Sequence, residues 1–373
     1  MSRPACLIFS NYLMRPTDGG PSGFLAQNLS GHKSLYYHLG QSHGEPPRSR
    51  WQRLRQGYLG YDRVSALKKI GLAVDTHWGT WVLAARHTFK REGAGDYSCI
   101  WFHDIWTMAA CLDMLRPGQK VILQSHCPEL PSEEAASLGI KSADVQWARE
   151  AQQRAFGRAD VVIFPNAGAR SIYDCLLKPN VRVEYLLSGC QGLKPGCQLP
   201  FDPRNVYYLY LGRRNAIKGF DIIFDAFQQA YQQDDSLRLL LVGGGEEVQH
   251  PGVIDLGRSE EPARWISNCD YFINANRQSY FDLSVMEALS IGTPLIVACT
   301  NGHQFYAELF SPGIVALPQA ESSSLAEAML KNRVKRSKNI QAVTANQRIF
   351  DELLSSQQYR LRLGQMLQRL TTT

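Results

Sequence analysis

Two cations stand five residues apart in Gly212-Arg213-Arg214-Asn215-Ala216-Ile217-Lys218-Gly219, directly after one apolar run and directly before another. On a strand exit and a helix entrance, Arg213 and Lys218 converge on one anionic group, and the planar fork of arginine suits phosphate oxygens. Two surface cations in a loop are the plainer reading of an isolated R-x-x-x-x-K. A second constellation runs from Asn276 to Pro294 (NRQSYFDLSVMEALSIGTP). A strand-to-helix turn at Asp282, Leu283, Ser284 and Val285 offers backbone N–H groups and the positive end of a helix dipole to a phosphate. Glu287, one turn further on, can accept hydrogen bonds from vicinal ribose hydroxyls. The competing reading makes Asp282 an N-cap and Glu287 a solvent-facing helix residue.

These residues need strands and helices to hold them. The first half alternates short apolar runs, Ala5–Phe9, Cys99–His103, Val121–Ser125 and Val161–Pro165, with helical stretches such as Phe24–Leu29. The rhythm restarts with strands at Val206–Leu211, Leu237–Val242, Val253–Leu256, Tyr271–Ala275, Leu295–Cys299 and Ile314–Leu317. Helices fall between them at Phe220–Tyr231, Glu261–Asn268 and Leu283–Ser290, and basic tail helices are expected around Lys331–Lys338 and Tyr359–Leu370. Such alternation predicts an α/β protein with two Rossmann-like doubly wound domains facing a cleft, with ligands at the strands' carboxyl ends. His103 and Asp104 are then polar residues at a strand end. The Gly- and Pro-rich segment SGCQGLKPGCQLPFDPR, Ser188–Arg204, separates the two halves. The predicted organisation is one Rossmann-like domain at 1–195, a second at 196–355, and a C-terminal helix at 356–373 packing back across the domains.

Composition narrows the function classes. With 373 residues, 44% hydrophobic and 20% charged, the chain suits two globular domains rather than disorder. The apolar run at Ala5–Phe9 is too short for a signal peptide, and no stretch reaches the roughly 20 apolar residues of a membrane span, so a cytoplasmic protein is expected. Nine cysteines without a C-x-x-C pair fit reduced thiols better than disulfides or zinc. Between Glu45 and Arg91 ten Lys/Arg face three acids, with Trp51, Tyr58, Tyr61, Trp78 and Trp81 interleaved. That stretch suits anionic lipid or a phosphorylated acceptor, or else is a solvated face with aromatics turned inward. No nucleic-acid motif accompanies it. Val242-Gly243-Gly244-Gly245 lacks the G-x-G-x-x-G spacing of a dinucleotide oxidoreductase.

From about Val206 to Gly302 the chain resembles the donor-binding domain of retaining GT-B glycosyltransferases of family 4. That family carries, in order, G-R-x4-K-G with a following Asp, a strand ending V-G-x-G, an L-G before a short helix, and Glu-x7-Glu running into E-A-x-x-x-G-x-P. Here these stand as Gly212–Asp221, Val242–Gly245, Leu256-Gly257 and Glu287 through Pro294. The resemblance implies a donor site holding Gly20, Gly244, Gly257, Arg258, Ser279, Asp282, Leu283, Ser284, Val285 and Glu287. It further implies a catalytic set of His126, Arg213, Lys218 and Glu287, an acceptor-binding domain at 1–195 with Gly19, His103 and Asp104 on the acceptor side, and a donor-binding domain at 196–355. Gly19-Gly20 matches the family's Gly-rich loop, where substrate approaches the backbone closely. His126 matches a His that reaches the donor sugar in relatives. Two departures stand out: the first Glu of the pair is Ser279, and the small residue before the helix is Asp282 rather than Gly.

The expectation is therefore a glycosyltransferase moving a sugar from a nucleotide-diphosphate donor, UDP or GDP, to a glycan or lipid-linked acceptor with retention of configuration. No metal or other cofactor is expected, and the setting would be surface polysaccharide or lipopolysaccharide assembly, with peripheral contact to the inner face of the cytoplasmic membrane. An inverting enzyme would need a base, for which Asp104 with His103 is the candidate. A nucleotide-sugar epimerase or hydrolase, or a non-catalytic nucleotide-sugar-binding partner, is the alternative.

Overall fold

The computed structural model describes residues 5–11, 14–16, 19–41, 79–137 and 139–372. Most of the basic aromatic stretch, including Trp51, Tyr58, Tyr61 and Trp78, lies outside the described residues, as does the side chain of Trp81. The chain forms two compact units. The first takes the described residues up to Phe164, then Ile172–Leu186 and the C-terminal residues from Arg360; the second takes Pro165–Ser171 and Leu187–Tyr359.

The first unit holds a six-stranded sheet of β1 (Cys6–Ser10), β2 (Tyr37–Gln41), β3 (Cys99–Phe102), β4 (Lys120–Leu123), β5 (Val161–Phe164) and β6 (Arg182–Tyr185). Every pairing is parallel, in the order β2-β1-β3-β4-β5-β6. β1, β3 and β5 are buried throughout, as befits a parallel sheet covered on both faces, and this is why they read as unbroken apolar runs. β2 and β6 lack that signature. β6 (RVEY) is half-exposed with charges at alternate positions, and sits at the sheet's edge.

The second unit repeats the plan with β7 (Val206–Leu211), β8 (Leu237–Val242), β9 (Val253–Asp255), β10 (Tyr271–Asn274), β11 (Leu295–Ala298) and β12 (Ile314–Leu317). Its order, β12-β11-β10-β7-β8-β9, is all parallel and reverses direction between β7 and β10. In such sheets the crevice outside the carboxyl ends at the reversal point binds ligands. The core beneath includes Tyr208, Phe227, Leu239 and Ile273. Two tyrosines of β7 are buried with each hydroxyl bonded to an acceptor: Tyr208 donates to Met329 O at 2.7 Å and Tyr210 to Arg213 O at 2.5 Å.

The segment Ser188–Arg204 is not a free linker. Cys190 N donates to Leu354 O, Gly196 N to Ser267 Oγ, and Leu199 N to Asn268 Oδ1, so it packs along the second unit, and the expected boundary at 195/196 lies inside that unit. The helix expected through Lys331–Lys338 ends at Lys331; a single 3-10 turn, Arg336–Lys338, follows. There Arg336 N donates to Asp270 Oδ1 and its guanidinium to the carbonyls of Ser267 and Ile291, which ties this basic stretch to the sheet. The last helix, Ser356–Thr372, contributes its residues from Arg360 onward to the first unit.

Candidate functional site

At the reversal point of the second sheet, the loop after β7 carries Arg213 and Lys218 and the loop after β10 carries Asn276 through Asp282. Gly219 caps the helix Phe220–Tyr231 at φ +61°, and a Cβ there would stand 1.9 Å from Ala275 O, so only glycine lets the two loops meet. Arg277 fastens them further, pairing with Asp221 at 2.6 Å and donating to Ala216 O.

Lys218 does not project freely. Its Nζ donates to Asp282 Oδ2 at 2.6 Å, and the same oxygen accepts from Asn276 Nδ2 at 2.8 Å and Asn274 Nδ2 at 3.2 Å. Asn274 and Asn276 are buried, and the Lys218 and Asp282 side chains are only 20% and 15% exposed. Burial alone would raise the Asp282 carboxyl. The Lys218 ammonium, His303 and the hydrogen bonds from Lys218 and Asn276 outweigh it and hold the carboxyl well below the usual range. Asp282 precedes the helix Leu283–Ser290, yet its side chain makes no cap hydrogen bond; its backbone N–H donates to His303 Nε2 at 3.2 Å. The carboxylate thus turns away from the N–H groups of Leu283, Ser284 and Val285 and toward Lys218.

Arg213 is exposed on the rim of the same loop. Glu287 is half-buried in the helix, near enough to Cys190 for its charge to push that thiol up, after the larger effect of burial. Ser279 is fully buried and its hydroxyl shares a 3.0 Å hydrogen bond with Thr300 Oγ1, which in turn donates to Asn276 O. The first carboxylate of the family pattern is thereby replaced by a short hydroxyl bound within the fold.

The glycine turn after β8 is built by a residue that motif reading passed over. Arg214, 3% exposed, makes a bidentate pair with Asp255 and donates to Glu246 O, beneath Gly245. That hydrogen-bonded pair holds the Asp255 carboxyl at about 2. Gly243, φ +139°, leaves no room for a side chain, since a Cβ would stand 1.9 Å from Gly212 O. Gly243 N donates to Gly257 O at 2.7 Å, and the exposed Arg258 guanidinium lies over Gly244. Gly244, Gly257 and Arg258 therefore flank the loop that carries Arg213. The signal for Arg214 was present as the second arginine of Gly212-Arg213-Arg214, but nothing in the string distinguished the rim residue from the buried one.

In the first unit, the ends of β3 and β4 bring His103 and His126 together: His103 Nδ1 and His126 Nε2 share a 2.9 Å hydrogen bond, with the rings stacked. Burial lowers both imidazoles, His126 to about 3, with the neighbouring ring adding to the effect at His103. Both are neutral at physiological pH. His103, expected as a polar residue at a strand end, is fully buried against Trp101. Asp104 is buried too and caps the helix Ile105–Cys111, accepting from Thr107 N at 2.6 Å and Thr107 Oγ1 at 2.8 Å. Burial pushes its carboxyl up to about 6 against those bonds. As a cap it is committed to Thr107, which argues against a role as general base. Gly19 precedes and Gly20 opens the helix Gly20–Leu29, and among the described residues no atom lies within 4 Å of where either would carry a Cβ. Among the described residues no group of three or more His, Cys, Asp or Glu side chains could hold a metal, and no helix is long and apolar enough to cross a membrane.

With this geometry in place, similarity to known proteins can be stated. Residues 205–332 match the family model described as glycosyl transferases group 1. No curated protein matches the chain in sequence. Among solved structures, sucrose-phosphate synthase from Thermosynechococcus elongatus superposes with TM-score 0.70 at 16% identity, covering 100% of each chain. HepE of Anabaena in complex with UDP and glucose gives TM-score 0.64 at 13% identity over 98% of this chain and 100% of that one. The N-terminal domain of Candida albicans trehalose-6-phosphate phosphatase gives 0.65 at 11% over 99% and 97%. The two parallel six-stranded sheets with their helices match the GT-B glycosyltransferase fold, and the second unit carries the segment that matches the group 1 glycosyl transferase model.

Proposed function

We propose that the protein is a glycosyltransferase that takes a sugar from a nucleotide-diphosphate donor, UDP or GDP, and passes it to a glycan or lipid-linked acceptor with retention of configuration. The observation that supports this reading is the contact of Lys218 with Asp282 at the head of Leu283–Ser290, at the reversal point of the second sheet and inside the segment 205–332, with Arg213 on the same loop as Lys218 and Glu287 in that helix. Breaking the bond between the anomeric carbon and phosphate leaves negative charge on the diphosphate. Arg213, Lys218 and the N–H groups of Leu283, Ser284 and Val285 stabilise that charge, each donor worth about 2–4 kcal/mol in a water-poor site. These donors would serve in place of a metal. Glu287 accepts from the ribose hydroxyls. Gly244, Gly257 and Arg258 shape the donor loop, Gly20 is assigned to the donor, Gly19 to the acceptor, and His126 to the catalytic set. Assembly of a surface polysaccharide or lipopolysaccharide, with the protein docked on anionic lipid, is the setting that suits this chemistry.

A thermal-shift screen of UDP-, GDP-, ADP- and dTDP-sugars is the direct test, because specific binding stabilises by mass action. One donor standing out is expected, and no shift with any of them would end the reading. The anomeric configuration of the product, read by NMR, tests retention. A second reading, a nucleotide-sugar-binding partner without turnover, is favoured by one observation, the internally bonded Ser279 in place of a carboxylate. Donor binding without sugar transfer to any acceptor or water would select it.

A further inference from the structure

The Lys218 ammonium assigned above to the donor diphosphate is held by an acid of the protein's own. Three N–H donors, Lys218 Nζ, Asn276 Nδ2 and Asn274 Nδ2, converge on Asp282 Oδ2, an arrangement suited to an anionic oxygen. The side chain sits at the position from which a carboxylate would cap the helix Leu283–Ser290, yet it leaves that helix uncapped to reach Lys218. We infer that the Asp282 carboxylate is a built-in competitor for the diphosphate: donor binding requires Lys218 to pass from carboxylate to phosphate, and product release is assisted by its return. This inference rests on the donor-site reading above.

Two consequences follow from the charge. A carboxylate beside a diphosphate repels it at close range in a site poor in water, so the wild type binds nucleotide more weakly than its set of cations would allow. The effect persists through the neutral range, because the paired carboxyl stays ionised there. If Asp282 only positioned Lys218, its removal would weaken binding instead, so the two roles differ in sign.

The test is calorimetric titration of the full chain, wild type, Asp282→Asn and Asp282→Ser, with UDP and with GDP, each with and without Mg²⁺. Asparagine keeps the shape and removes the charge; serine also removes the reach to Lys218. Both variants are expected to bind the preferred nucleotide about tenfold or more tightly than wild type, without dependence on Mg²⁺. Equal or weaker binding by both folded variants would overturn the inference while leaving the donor site standing. So would wild-type binding that tightens with Mg²⁺ and loses that gain in Asp282→Asn, since the acid would then be aiding the phosphate through a metal. No binding of either nucleotide by any of the three proteins would instead bring down the donor-site reading, and this inference with it.

Discussion

The histidines at the ends of β3 and β4 show how burial sets the chemistry of a single residue. A lone imidazole near pH 6.5 is a switch, but His126 is lowered to about 3 and His103 is lowered as well, both by burial. The unfolded chain therefore binds more protons than the folded one below about pH 6.5. Stability tied to these groups is present above that pH and is lost as pH falls toward 3. Asp104, pushed up to about 6, acts with the opposite sign between about pH 4 and 6, so the informative quantity is a difference. Urea denaturation from pH 7 to pH 5 is expected to give a shallower loss of stability for His126→Asn than for wild type. Arg214 is the counterpart among cations. Replacing it with alanine leaves the half-buried Asp255 without its counter-ion, held only by Val248 N and Gly257 N, and a loss of about 3 kcal/mol is expected in the same assay. The Asp255 carboxyl, held at about 2, adds stability above about pH 4 that fades as pH falls toward 2. Acid titration of Arg214→Ala should show that component reduced, the part left being due to the hydrogen bonds from Val248 N and Gly257 N.

At the scale of elements, the loops after β7 and β8 depend on backbone approaches that only glycine permits. β7 and β8 run in register from Val206 opposite Leu237 to Leu211 opposite Val242, and immediately beyond, Gly243 lies against Gly212 O. Gly243→Ala combines a forced φ with a contact no side-chain rotation relieves, so the strand ends must part. A loss of about 3 kcal/mol is expected by chemical denaturation, with donor binding weakened more than this stability change alone would cause. In this unit β7, β8, β10 and β11 were legible as largely buried apolar runs, and the part-exposed edge strands β9 and β12 still read as short apolar runs. β2 and β6 were not: Tyr37–Gln41 carries His, Gly and Gln, and Arg182–Tyr185 alternates charge with apolar residues. An edge strand needs apolar residues on fewer sides, and its pattern merges with that of a loop.

For the whole molecule, the last helix is a structural part of the first unit. Leu363, Met366, Leu367 and Leu370 follow helical spacing and are all fully buried, while Arg360 Nη1 donates to Asn28 O and Lys120 Nζ to Leu370 O. Each of the four side chains contributes about 2 kcal/mol on burial, a total comparable with the net stability of a domain. A chain ending at Tyr359 is expected to lose protection in the first unit by hydrogen exchange while the second unit's sheet stays protected. Retained protection in both would show that the helix is dispensable.

By itself the sequence determined the repeated α/β plan, since period, apolar runs and turn residues are local properties of the chain. It also located the loops after β7 and β10, because Gly212 to Asp221 and Asn276 to Pro294 keep their spacing whatever they pack against. Only the tertiary structure decided how the charges pair. Lys218 and Asp282 lie 64 residues apart in sequence and Arg214 and Asp255 lie 41 apart, and both pairs exist because parallel strands bring their carboxyl ends to one edge of the sheet. The same reason separates Arg213 on the rim from Arg214 beneath it, and turns Ser279 inward to Thr300. Which cation is available to a ligand is a matter of partners and burial, and neither is written in the spacing of residues along a chain.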